Sequence, residues 1–249
     1  MTAPKTRLER VGAVHVLTLD DPEKRNAIGY ELAAELVGRA EALAADADVR
    51  ALVVTGQGTA FCAGADLPDV FGEERPTGEM RAALRSYYEC FLRIRGLPFP
   101  TFAAVNGPAI GAGLNLALAC DLRIASPAAR FGATFTRIGL HPGGGCSYFL
   151  VEAIGRQRAL RLVLEGGVMD GEEALQAGLV VAVENDAVGA AVELAERVAS
   201  LEPWLARDVV RAVEIASNDG FAATLDFESW AQAESTHNPR FREFVAGFA

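Results

Sequence analysis

Apolar and polar positions first organise the chain at its start. In "RVGAVHVLTLD", Val14, Val16 and Thr18 fall on one side of an extended chain and His15, Leu17 and Leu19 on the other. Period-2 spacing predicts a hairpin or bent strand, with His15 a structural residue on a strand face. The loop "DPEKRNAIG" follows, and then the period lengthens. "YELAAELVGRAEALAAD" places Leu32, Leu36 and Leu43 on one face of an amphipathic helix. "VRALVVTG" and "TFAAVNG" are apolar runs ended by glycine, which predicts buried strands. A helix over Gly113–Cys120 and the strand "DLRIAS" come next. Strand, glycine-bearing loop and helix thus recur at roughly 40–50-residue spacing. That order predicts an alternating α/β fold, with its functional loops at the strand C-terminal ends.

From about Glu184 the pattern turns helical, through "AVGAAVELAERVASLEP", "WLARDVVRAVEIASND" and "GFAATLDFESWAQAEST". Pro203 and Gly220 punctuate it, and three or four helices are expected. No linker-like segment separates this region. Residues 1–195 therefore read as an α/β core and 196–249 as a C-terminal helical region of the same structural unit.

Composition narrows the function. With 249 residues, 51% of them hydrophobic, the chain can bury a full core. A formal charge of −10 and a pI near 4.9, without any basic block, exclude nucleic acid as the expected partner. A phosphorylated small molecule remains open, because a few local Arg and Lys residues suffice to bind one. Cys62, Cys90, Cys120 and Cys146 form no CxxC pair or metal-ligand spacing, and His15, His141 and His237 are dispersed. "MTAPKTRLER" has no apolar signal core. The expectation is a cytoplasmic protein with reduced thiols and no structural metal. The most apolar stretch, 101–125, is interrupted by Asn106, Pro108, Asn115, Asp121 and Arg123, so no membrane span is expected.

Three glycine-rich stretches carry the candidate chemistry. In "AIGAGLNLALACD" small residues at Gly111, Ala112 and Gly113 precede a helix, and Asn115 projects from its first turn. Small side chains allow close approach to the backbone, and a helix N-terminus offers unpaired N–H groups. Together they suit an anion or a developing negative charge. Tight helix packing, with Asn115 an early-turn polar residue, is the plain alternative. "VVTGQGTAF" has Gly56 and Gly58 but no third glycine in place, so a dinucleotide fingerprint fails. No P-loop and no GxSxG elbow is present. "HPGGGCSYFL" enters a helix near Cys146, and Gly143–Gly145 either line a substrate channel or form a turn that needs positive φ.

"AFCAGADL" (60–67) completes a set with "PEKRNA", "AVNGPAIGAGLNLALACDLRIA", "IGLHPGGG" and "EALQAGLV". In order and spacing, over nearly the whole chain, they resemble the crotonase, or enoyl-CoA hydratase/isomerase, superfamily. The resemblance implies an α/β, crotonase-like (ClpP/crotonase) spiral of ββα units with a C-terminal helical region. It also implies a homotrimer or dimer of trimers, with 196–249 in trimerisation. The implied activity is that of an acyl-CoA-processing lyase or isomerase, which stabilises a thioester enolate in an oxyanion hole. Coenzyme A enters as part of the substrate, with no separate cofactor. Motif by motif, the two backbone donors fall on Ala65 and Ala112, the latter standing where the family commonly has glycine. Arg25, with Lys24 as the alternative, falls on a basic position that meets CoA phosphates or ribose. A solvated loop charge is the plain reading. Ala63, Ala65, Asp66 and Leu67 fall on the CoA path, and Gly111, Phe135 and Gly143 on the substrate pocket. The tail "FREFVAGFA" is short and lacks the family's basic end.

The chain also departs from that pattern. The family's two hydratase glutamates fall on Asn115 and, in "FGATF", on Phe135. Neither residue transfers protons near neutral pH. His141 is the nearby titratable side chain suited to that work, against a plain loop role in contact with backbone or solvent. Thr134 and Arg137 are further polar candidates, Arg137 with a structural ion pair as its ordinary role. Glu152 and Asp170 lie too far along the chain. Two readings stay open: an enzyme of the family with weak or altered hydratase chemistry, and a non-catalytic acyl-CoA binding protein on the same scaffold.

Overall fold

The structure, a computed structural model, describes residues 4–248. Contacts divide the chain into two compact units, one ending at Ala199 and one beginning at Ser200. The boundary expected at 195/196 therefore falls inside the last helix of the first unit.

The first unit opens with an antiparallel hairpin, β1 (Thr6–Val11) and β2 (Val14–Leu19). Helix α1 (Tyr30–Ala45) leads to β3 (Ala51–Gly56), and α2 (Leu67–Phe71) and α3 (Thr77–Arg95) to β4 (Thr101–Val105). Then come β5 (Pro108–Ile110), α4 (Ala112–Ala119), β6 (Leu122–Ala125) and β7 (Arg130–Gly132). Helices α5 (Cys146–Ile154) and α6 (Arg156–Leu164) precede β8 (Val168–Asp170) and α7 (Gly171–Ala177). Strand β9 (Ala182–Val183) and α8 (Ala187–Ala199) close the unit. The large sheet has the order β1-β2-β3-β4-β6-β9, parallel beyond the first pair, and a smaller sheet has the order β5-β7-β8.

All six residues of β2 are buried. Alternate side chains of β2, β3 and β4 enter two different cores. Val14, Val16, Ala51, Val53, Phe102 and Ala104 pack on Ala187, Ala191 and Ala195 of α8. Those alanines repeat every four residues, so one face of α8 can approach the sheet closely. Leu17, Leu19, Leu52, Val54, Ala103 and Val105 face the larger core, which includes Leu32, Leu36 and Leu43 of α1.

The second unit comprises α9 (Pro203–Asn218), α10 (Phe221–Ser235) and α11 (Pro239–Ala246), with α9 packed on α10. Among the described residues no helix is long and apolar enough to cross a membrane, and no cluster of His, Cys, Asp or Glu could hold a metal ion. The four cysteines are buried and free. Burial pushes the Cys62, Cys120 and Cys146 thiols up to about 12, which keeps them protonated and inert.

Candidate active site

Two loops at the C-terminal ends of β3 and β4 are stitched side by side. Cys62 pairs with Ala109: the Cys62 N–H donates to Pro108 O and the Ile110 N–H to Cys62 O, each at 3.0 Å. On its other side the first loop meets Ile28, whose N–H donates to Gly64 O at 2.7 Å and whose carbonyl accepts from the Asp66 N–H at 2.9 Å. In a parallel bridge of this kind Ile28 bonds the residues before and after Ala65, so the Ala65 N–H turns the opposite way. Ala112 is the first residue of α4, where an N–H has no partner within the helix. Among the described residues neither the Ala65 nor the Ala112 N–H has an acceptor. A Cβ on Gly64 would sit 2.8 Å from Ile110 O and 3.8 Å from the Ala112 nitrogen, which shows how closely the two loops approach.

The small residues around Ala112 therefore serve the backbone before any ligand. Gly111 has φ 55° and ψ −114°, a conformation reserved for glycine. A Cβ on Gly113 would overlap the Cys62 carbonyl. Gly113→Ala is expected to cost about 3 kcal/mol, because both backbones are held by the ladder and neither can yield. Urea unfolding measures it, and a loss below about 0.5 kcal/mol would show that the loops separate freely.

Between the loops and α3 lies a cavity of about 150 Å³. Ala63, Ala65, Leu67, Gly111, Ala112, Asn115, Phe135, His141 and Gly143 all line it, as does Thr134. Arg25 and Asp66 do not. Arg25 is an exposed residue in the left-handed region (φ 52°), and its carbonyl accepts from the Ala63 N–H at 2.9 Å. Asp66 accepts from Lys24 Nζ at 2.6 Å, and that hydrogen bond holds its carboxyl below the usual range. Glu152 faces Arg95 at 3.7 Å, and Asp170 caps α7, accepting from the Glu173 N–H at 2.9 Å. Arg137 is exposed and makes no ion pair among the described residues. Among the described residues no Asp, Glu, Lys or Arg lines the cavity.

Asn115 is 2% exposed. Its Nδ2 donates to Gly143 O at 2.9 Å, which leaves Oδ1 buried without a partner. The orientation follows from the carbonyl, which can only accept. Likewise His141 Nδ1 lies 2.7 Å from Pro142 O, so in the neutral ring Nδ1 carries the hydrogen and Nε2 the lone pair. His141 is exposed at the rim. The fourth wall comes from α3: Leu84, Tyr87, Tyr88 and Phe91. Sequence reasoning passed over this helix, although the spacing i, i+3, i+4, i+7 marks one face.

The enoyl-CoA hydratase/isomerase family pattern matches residues 9–249. A protein of Mycobacterium tuberculosis named as a probable enoyl-CoA hydratase is 42% identical over 247 residues, spanning 94% of this chain and 93% of its own. The crystal structure of an enoyl-CoA hydratase from Bacillus anthracis superposes with a TM-score of 0.91 at 30% identity, over 98% of this chain and 95% of that one. A Thermobifida fusca crystal structure in complex with CoA superposes at 0.84 with 32% identity, over 98% and 95%.

Proposed function

The chain belongs to the enoyl-CoA hydratase/isomerase family and has its crotonase fold, and from that premise we propose an acyl-CoA-processing enzyme whose oxyanion hole is the Ala65 and Ala112 N–H pair. The carrying observation is that Ala65 and Ala112, from two loops joined by the Cys62–Ala109 bridge, line one cavity, and their N–H groups have no acceptor among the described residues. Donors already aimed where charge develops need no reorganisation during reaction. A thioester oxygen gripped there gains negative charge as an enolate forms, and the N-terminus of α4 adds its dipole. The exposed Arg25 guanidinium, which has no partner among the described residues, is the group we assign to a CoA phosphate.

Phe135 and Asn115 support a reaction other than ordinary hydration. Phe135 has no proton to transfer, and the Asn115 amide is committed to Gly143 O. His141, at the rim with Nε2 free to accept, is the acid–base group we assign nearest the solvent. The cavity's lack of carboxylates supports a second reading as well, an acyl-CoA binder without turnover. Calorimetry with butyryl-CoA and butyrate tests the shared premise. The thioester is expected to bind at least tenfold more tightly, and equal affinity would sink both readings. Product detection by mass spectrometry across a panel of enoyl-, dienoyl- and β-keto-acyl-CoA thioesters then separates enzyme from binder.

A further inference from the structure

Gly143 forms part of the cavity wall. Its carbonyl accepts from Asn115 Nδ2 at 2.9 Å, and the Tyr88 hydroxyl lies on its other side. A Cβ on Gly143 would overlap that hydroxyl, so the polar end of the Tyr88 ring, not its face, meets this wall. The Tyr88 hydroxyl proton has no acceptor among the described residues. Tyr87, its neighbour on α3, differs. The Tyr87 hydroxyl donates to Ile28 O at 3.0 Å and has no proton to spare.

We propose that Tyr88 is a catalytic residue, which passes a proton between its hydroxyl oxygen and the α-carbon of a thioester held by the Ala65 and Ala112 N–H groups. This rests on the acyl-CoA reading above. In one direction the α C–H bond breaks and its electron pair becomes the enolate, with the negative charge on the gripped thioester oxygen. The proton goes to the Tyr88 phenolate oxygen. In the other direction the O–H bond breaks, the α C–H bond forms from the enolate's electron pair, and Tyr88 is left as the phenolate. Water at the cavity mouth returns or removes the Tyr88 proton. Tyr88 lines the same cavity of about 150 Å³ as Ala65 and Ala112.

Burial pushes the Tyr88 phenol up. The group is therefore protonated at neutral pH, and removal of the α-proton must accelerate as pH rises. The other titratable groups around it are Tyr87 on its own helix and His141 across the cavity, with Cys62 and Cys90 behind Tyr87.

The test is exchange of the α-protons of butyryl-CoA in D2O, followed by mass spectrometry between pH 6 and pH 10, with calorimetric affinity for the same thioester. The wild type is expected to exchange at a rate that climbs with pH. Tyr88→Phe is expected to lose at least about a hundredfold in rate, and the climb with it. Placing 3-fluorotyrosine at position 88 keeps the hydroxyl but makes it more acidic, so the profile should move to lower pH, which a merely structural Tyr88 would not produce. Exchange undiminished in Tyr88→Phe, a profile unmoved by the fluorinated ring, or a wild type that binds butyryl-CoA without exchange overturns the proposal. A wild type that binds no butyryl-CoA overturns the acyl-CoA reading itself.

Discussion

Ala112→Pro lowers acyl-CoA turnover by about 10²–10³-fold, the expected cost of deleting one oxyanion donor. Proline has no N–H, so the substitution removes the donor and little else. The fold should tolerate it, because Ala112 is the first residue of α4 and proline fits that position of a helix. No hydrogen bond within the protein is lost, since the Ala112 N–H has no acceptor among the described residues. Circular dichroism checks the fold. The infrared stretch of a bound thioester carbonyl checks the chemistry: two N–H donors shift it down, and the variant should show a smaller shift. A folded variant with full turnover and an unchanged carbonyl shift would show that the oxygen binds elsewhere.

Phe135→Glu is expected to raise hydration of a short trans-2-enoyl-CoA by about 10²-fold, the lower end of what one general acid–base group contributes. Phe135 lines the cavity yet remains partly exposed, so a carboxylate there can ionise. The Asn115 position is less permissive. That side chain is 2% exposed and donates to Gly143 O. Asn115→Glu would replace a donor by a buried carboxylate facing a carbonyl, at a cost of roughly 1–3 kcal/mol. It should melt earlier and gain less rate than Phe135→Glu. Loss of enoyl-thioester absorbance follows the reaction. A wild type already as fast as Phe135→Glu would mean that another group handles the protons, with Tyr88 and His141 the first to examine.

Much of the architecture is legible in the linear pattern. β3 and β4 read as strands because Ala51–Val54 and Phe102–Val105 are uninterrupted apolar runs, and α1 because Leu32, Leu36 and Leu43 recur on one face. The period-2 reading of β2 captured its alternation but not its surroundings. Whether the second face is wet depends on α8, which arrives from the far end of the unit to cover it.

At the site, residue identities were local facts. Asn115 and Phe135 cannot do a glutamate's work in any fold. That no other carboxylate replaces them is not local, since any of the 33 Asp and Glu residues could have folded into the cavity, and only the packed chain excludes them. The status of each donor is likewise tertiary. Ala65 keeps a free N–H because Ile28 bonds Gly64 and Asp66 on either side of it. Gly113 is glycine because the Cys62 carbonyl occupies the space of a side chain. Sequence alone thus determined the family, the order of elements and the missing glutamates, all carried by residue types at fixed spacings. Which N–H groups stay unpaired, and which hydroxyl keeps its proton, only the tertiary structure decided, because a hydrogen bond's availability depends on partners brought together from distant parts of the chain.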